Sequence, residues 1–199
     1  MDTYVPNYLW GEMIPIIDNA KLMEDCLHAE DYLINKLPLK QEQEIGRYGN
    51  ITTASHNQYN LLSFPIESFQ VLYHNMVAVI RPCLPKEPHV IQCWLNVFRD
   101  NGFIDWHDHW PSKYRVIHGF YCVNVTPSFT EYKFAHAPMG TVKVESKEGL
   151  LVFGKSDGDE HRSSPWSKTS EPRITIAFDV IPVSMLENFQ VRPNHYLPF

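Results

Sequence analysis

His107 and His109 stand two residues apart in WLNVFRDNGFIDWHDHW, residues 94–110. On an extended strand residues i and i+2 point to one face, so the two imidazoles can converge on one metal ion while Asp108 points the other way. A twist or bulge at this point would instead turn Asp108 toward the metal. The pair alone is a weak signal: with 10 histidines among 199 residues, roughly two in five chains of this composition contain a His-x-His by chance. A third histidine, His161, lies in KSDGDEHRSSPW after an apolar run, and Arg173 follows twelve residues later at the head of RITIAFDV. Period two puts Ile174, Ile176 and Phe178 on one face of that strand and Arg173, Thr175 and Ala177 on the other. A guanidinium matches a carboxylate with two parallel hydrogen bonds, so Arg173 is a candidate carboxylate clamp.

Each of these residues also has a plainer reading. The paired histidines could be surface polar residues near a loop, His161 a solvated loop residue, and Arg173 the partner of Glu171 in a surface ion pair, which is worth little. His118 shares a strand face with Val116, Phe120 and Cys122, as a satisfied core histidine does. His28, His56, His74, His89, His136 and His195 belong to no constellation. Trp106, Trp110 and Trp166 flank the candidate ligands, as packing or as the mouth of a site.

The elements that must position these side chains are legible in outline. Residues 1–17 are Pro- and aromatic-rich and expected to be extended. Asp18 or Asn19 caps a first helix with Leu22, Met23, Cys26, Leu27, Leu33, Ile34 and Leu37 at helical spacing, ended by Pro38. Residues 39–62 read as a long loop or short strands. Pro65 starts a second helix whose apolar face is Ile66, Phe69, Leu72, Tyr73, Met76, Val77 and Ile80, and Pro82 stops it. From residue 90 the texture changes to short β-like runs at 90–98, 103–109, 115–124, 130–135, 141–145, 149–153, 160–163 and 173–182. Eight short strands after a helical third predict a mostly β double-sheet jelly roll with supporting α-helices against one sheet. The expected organisation is one domain over 1–199: helical N-terminal support over 1–89, the β core over 90–182 and a C-terminal extension over 183–199.

Composition narrows the class. A net charge of −6 argues against a general nucleic-acid or anionic-membrane binder. Cys26, Cys83, Cys93 and Cys122 form no CxxC and mostly adjoin apolar runs, which suits reduced thiols in a reducing compartment, the cytoplasm. MDTYVPNYLWGEM has acidic residues and no apolar h-region, so no signal peptide is expected. No apolar run approaches the length of a membrane span.

His107-Asp108-His109, then His161, then Arg173-Ile174-Thr175 together resemble the iron(II)- and 2-oxoglutarate-dependent oxygenases. Their pattern is His-x-Asp/Glu, a distal histidine, and an arginine followed at two residues by Ser or Thr. Asn96 and Gly102 resemble the approach to the first histidine. GFYCVN (119–124) resembles the following strand, and GLLVFG (149–154) the strand before the distal histidine. The resemblance covers residues 90–182. It implies a double-stranded β-helix (cupin-like jelly roll) with Fe(II) held by His107, His109 and His161. It also implies 2-oxoglutarate chelating that metal, its far carboxylate on Arg173 helped by Thr175, and O2 as co-reactant. The implied reaction couples decarboxylation to succinate and CO2 with hydroxylation of a substrate C–H bond. The helper group stays open among Thr175, Tyr121 and Asn96; the family often uses a Tyr from the strand that GFYCVN resembles, although strict register points to Cys122.

The departure is His109, where the family carries a carboxylate, and here the chain resembles a His-x-His subgroup of phage and bacterial genomes. With two His and one Asp, Fe(II) and doubly charged 2-oxoglutarate sum to minus one. With three neutral His they sum to zero, which makes higher oxidation states of iron harder to reach. Two other classes fit the same residues. One is a cupin-like three-histidine metalloenzyme without 2-oxoglutarate, for which GxxxxHxH at 102–109 is a partial motif lacking the downstream Glu. The other is a non-catalytic metal- or ligand-binding protein on the same fold. The primary substrate and the oligomeric state are not legible.

Overall fold

The alternation of residues 173–182 decides how the interior is divided. In the computed structural model, which describes residues 1–37, 59–134, 140–156, 159–168, 170–188 and 196–199, these residues form the central strand β9 (Arg173–Pro182), and every one of them is buried. Ile174, Ile176, Phe178 and Val180 face a layer of helices. Arg173, Thr175, Ala177 and Asp179 face the other way, into the space between two sheets.

Seven strands form the larger sheet, in the order β1 (Asp2–Val5), β2 (Leu9–Met13), β7 (Leu150–Lys155), β4 (Ile117–Asn124), β9, β3 (His89–Phe98) and β10 (Leu197–Pro198). The smaller sheet runs β6 (Thr141–Glu145), β5 (Phe129–Lys133) and β8 (Glu160–Ser163). All named pairs are antiparallel. From β3 onward the chain passes repeatedly between the two sheets, which is the expected jelly roll. Phe120, Cys122, Val152 and Ala177 of the large sheet pack against Tyr132, Phe134 and Val144 of the small one.

Helix α1 (Asn19–Lys36) begins where Asp18 accepts the Lys21 N–H at 3.1 Å, and helix α2 covers Glu67–Ile80. Leu22, Cys26, Ala29 and Leu33 on α1, and Phe69, Leu72, Met76 and Ile80 on α2, are buried against the outer face of the large sheet. Each such aliphatic or aromatic side chain contributes about 1.5–3 kcal/mol on burial. Arg99, just past β3, grips Glu30 of α1 with two 2.6 Å hydrogen bonds, one to each carboxylate oxygen. No helix among the described residues is long and apolar enough to cross a membrane.

Three expectations about the supporting elements need correction. The second helix starts at Glu67 rather than at Pro65, because Ile66 remains extended at φ −119°. The N-terminal third is not only helical: β2 pairs with β7 along five residues and widens the large sheet. Within 183–199, β10 returns to pair with β3. Most of the loop read at 39–62 lies outside the described residues. At its end the Asn60 side chain accepts the Leu62 N–H and donates to the Ile91 carbonyl.

The strand expected over 103–109 is reduced to a single bridge, His107 with His161. Ser163 pairs with Ile104, yet two residues back along β8 His161 pairs with His107, three residues on. One extra residue is therefore accommodated at Asp105–Trp106, where the Asp105 carboxylate accepts the Trp106 N–H at 2.8 Å. That irregularity precedes the histidines, so their alternation survives it, and Asp108 is exposed.

Candidate metal centre and carboxylate pocket

Side chains from three elements meet at one end of the space between the sheets. His107 and His109 come from the loop after β3, His161 from β8 and His118 from β4. Offered ligand atoms of His107, His109 and His161 all lie within 4.8 Å of one another. Nδ1 of His107 is 2.7 Å from the Asp105 carbonyl. A carbonyl only accepts, so Nδ1 carries the proton and Nε2 keeps its lone pair for a ligand role. Burial drives the His161 imidazole well below its ordinary value, reinforced by its neighbouring histidines. It is therefore neutral at neutral pH, the form a metal requires.

Ring spacing tests whether one ion fits. With metal–nitrogen bonds of about 2.1 Å, two imidazoles at right angles about an ion place their centroids about 4.6 Å apart, and about 5.3 Å at the tetrahedral angle. The observed separations are 4.3 Å for His107–His161 and 5.1 Å for both His107–His109 and His109–His161. The three rings fit one ion, and imidazole donors suit iron among other first-row metals. Ligand atoms of His109, His118 and Asp179 also lie within 4.8 Å of one another, but the His109 and His118 rings stack at 3.7 Å, closer than the spacing of two imidazoles on one ion. A cavity of about 20 Å³ opens against His109, His118, His161, Tyr132 and Asp159, enough for a single ion or water.

His118 is satisfied by a carboxylate. Its Nδ1 lies 2.8 Å from Asp179 Oδ1, and Trp110 Nε1 donates to Asp179 Oδ2 at 2.7 Å. Burial pulls His118 down to about 3, so the neutral ring donates Nδ1–H to the carboxylate. Burial also raises the Asp179 carboxyl, against which the His109 charge and the Trp110 hydrogen bond act. His118 is the core histidine that its strand face suggests, but a core histidine placed against the cluster. The pair with Asp179 was missed. The signal available was an acidic residue inside the apolar run RITIAFDVIP, on Arg173's side by period two.

Register places the other candidates in rows across the sheet's inner face. Phe98 pairs with Arg173; Asn96, Thr175 and Cys122 form the next row; Trp94, Ala177 and Phe120 the next; Gln92, Asp179 and His118 the fourth. The fourth row continues to Gly154, where a Cβ would run into the Tyr8 carbonyl. Trp94 stacks on His109 at 5.9 Å, so the cluster stands beside the third and fourth rows. Arg173 is four residues back from Ala177, about 13 Å along the strand.

Arg173 is 2% exposed, and its Nε and Nη1 have no hydrogen-bond partner among the described residues. Its guanidinium carbon lies 4.8 Å from the centre of the Phe98 ring, and burial pulls its pKa down to about 10. The surface ion pair with Glu171 does not form among the described contacts; the Glu171 carbonyl instead accepts the Trp166 indole N–H at 2.7 Å. Trp166 is fully buried and packs with Phe98, whose ring lies against Arg173. Thr175 and Asn96 are brought beside Arg173, and Asn96 Oδ1 likewise lacks a partner. Tyr121 is not brought to the site. It faces the helices, and its hydroxyl donates to Asn19 Oδ1 at 2.8 Å, because the odd positions of β4 point outward. Sequence reasoning missed Tyr132 of β5. It is buried, its ring is 5.5 Å from His161, and it lies within electrostatic reach of Arg173. Alternation in FTEYKF, with Thr130, Tyr132 and Phe134 on one face, was the available signal.

The architecture is thus a double-stranded β-helix with a histidine cluster between its sheets. No protein-family model matches the sequence, and no curated protein matches it significantly. Solved structures match by shape. AviO1 from Streptomyces viridochromogenes superposes with a TM-score of 0.60 at 14% identity, covering 89% of this chain and 91% of that one. A Pseudomonas putida prolyl-4-hydroxylase gives 0.53 at 14%, covering 89% and 94%. The non-haem α-ketoglutarate-dependent epimerase SnoN of nogalamycin biosynthesis gives 0.58 at 11%, covering 88% and 77%. At these identities what is shared is the fold, the jelly roll found in 2-oxoglutarate–iron(II) oxygenases.

Proposed function

We propose that the protein is an iron(II)- and 2-oxoglutarate-dependent oxygenase that hydroxylates a C–H bond of its substrate. The observation that carries this reading is Arg173. A fully buried guanidinium without an anionic partner among the described residues is costly, and it stands on the same inner face of the sheet as the rows beside which three histidines are spaced for one ion. A short dicarboxylate that chelates the metal at one end and meets Arg173 at the other satisfies both. Iron and 2-oxoglutarate, when bound, supply the chemistry: O2-dependent decarboxylation to succinate and CO2 coupled to substrate hydroxylation.

The chain's own part is positional. His107, His109 and His161 hold the metal, with the Asp105 carbonyl fixing the His107 ring. Arg173 orients the far carboxylate with two charge-assisted hydrogen bonds. Thr175, Asn96 and Tyr132 are the polar groups placed to assist it. Phe98 and Trp166, both buried, exclude water beside Arg173, which strengthens these contacts. Residues 90–182 carry the site, 1–89 and 183–199 support it, and the buried thiols of Cys26, Cys93 and Cys122 suit a reducing cytoplasm.

The test is an anaerobic titration of the Fe(II)-loaded protein with 2-oxoglutarate, followed by its visible charge-transfer band and by calorimetry. Wild type should show both signals. Arg173→Ala should keep iron and bind 2-oxoglutarate roughly ten- to a hundredfold more weakly. Iron binding with neither band nor heat would leave a three-histidine metalloprotein that does not use 2-oxoglutarate.

A further inference from the structure

The oxygenase reading leaves a charge problem, and this inference rests on that reading. Three neutral imidazoles bring no negative charge to iron, so Fe(II) with doubly charged 2-oxoglutarate is electrically neutral. The structure holds a carboxylate close by. Asp179 is 4% exposed and sits on the β9 face that carries Arg173, Thr175 and Ala177. Its Oδ1 is 4.0 Å from His109 Nδ1, too far for a hydrogen bond. The same oxygen meets His118 Nδ1 at 2.8 Å, and Oδ2 accepts from Trp110 Nε1 at 2.7 Å. An indole N–H can only donate, so Oδ2 serves as an acceptor. The His118 ring, stacked at 3.7 Å on His109, fills the space between this carboxylate and the cluster. With His109 Nδ1 turned toward Asp179, Nε2 is the nitrogen left for the metal.

We infer that Asp179 is a positioning residue that supplies this three-histidine centre with the negative charge a ligand carboxylate would carry. His118 and Trp110 hold it one side chain back from the metal. It fixes the His118 ring, which stacks on His109, and by its charge favours the more oxidised iron. The carboxylate missing from position 109 is replaced from the neighbouring strand without occupying a coordination position.

The test compares wild type, Asp179→Asn, His109→Asp and the double variant His109→Asp/Asp179→Asn. Fe(II) affinity, the Fe(III)/Fe(II) midpoint potential and the donor set by X-ray absorption are read without 2-oxoglutarate. Asp179→Asn should bind Fe(II) about 10- to 100-fold more weakly, with the same nitrogen donors and a higher midpoint potential. The double variant, which moves the carboxylate into position 109 and removes it from 179, should bind iron more tightly than either single variant. Trp110→Phe keeps the charge but removes one donor to it, so its potential should fall below wild type; this arm stands even where Asp179→Asn fails to fold. A folded, iron-loaded Asp179→Asn with the wild-type potential overturns the inference. So does an unchanged potential in Trp110→Phe, or a carboxylate oxygen bound to iron in wild type, which would make Asp179 a ligand. A wild type that binds no iron defeats the oxygenase reading itself, a result distinct from any of these.

Discussion

Replacing Arg173 by Met should make the apoprotein more stable while sharply reducing its stabilisation by 2-oxoglutarate. The side chain is 2% exposed and burial lowers its pKa well below the ordinary arginine value, to about 10. That displacement corresponds to about 3 kcal/mol. The folded value lies below the unfolded one, so the cost is fully present below about pH 10 and falls away only as pH rises through that range; at neutral pH it is undiminished. The Phe98 ring, 4.8 Å away, offsets about 1–2 kcal/mol through its quadrupole. The remaining cost is roughly 1–2 kcal/mol, and Met, of similar length and apolar, removes it. For a chain of this size the gain is about 2–8 °C in Tm. Saturating ligand reverses the order, since 2-oxoglutarate at about a hundred times its Kd adds about 2.7 kcal/mol to the form that binds it. Thermal and urea unfolding with Mn(II), which holds the site without turnover, measures both terms. An Arg173→Met protein no more stable than wild type without ligand, or stabilised equally by 2-oxoglutarate, would refute the claim that an unpaired buried charge waits there for a carboxylate.

His161→Ala should lose most Fe(II) binding and His109→Ala should weaken it, whereas Asp108→Ala should leave it intact because that carboxylate is exposed; calorimetry decides, and the reverse order would put the carboxylate in the site. Glu30→Ala should cost about 2–3 kcal/mol, since it removes two hydrogen bonds to a charged partner from a carboxylate 4% exposed, without changing iron affinity. His89 is 4% exposed and burial lowers its pKa from 6.5. Its contribution to stability is therefore present above about pH 6.5 and lost as pH falls below it, and His89→Gln should flatten that part of the acid unfolding curve.

Sequence alone carried the fold class and named most of the residues that the fold brings together as a candidate site, for reasons visible in particular residues. Period two in β9 placed Arg173 and Thr175 on one face and the apolar residues on the other, because a buried central strand allows little slippage. The 3.6-residue spacing of Leu22, Cys26 and Leu33 marked the buried face of α1. The three metal candidates were readable because His-x-His on an extended backbone keeps its alternation, and the extra residue at Asp105–Trp106 happens to fall before it. Tertiary structure decided what depends on pairing between strands distant in the chain. Nothing local indicates that β4 and β9 stand in a register that sets His118 opposite Asp179, or that β5 carries Tyr132 to His161. Tyr121 was chosen because it is near in sequence, yet alternation turns its hydroxyl to Asn19 on the far side of the sheet. The burial of Arg173 was undecidable from RITIAFDV, because a strand's first residue is as easily a solvated edge as a closed pocket. Phe98, whose ring lies against Arg173, and Trp166, which packs on Phe98, come from 75 and 7 positions before Arg173, and only folding brings them together.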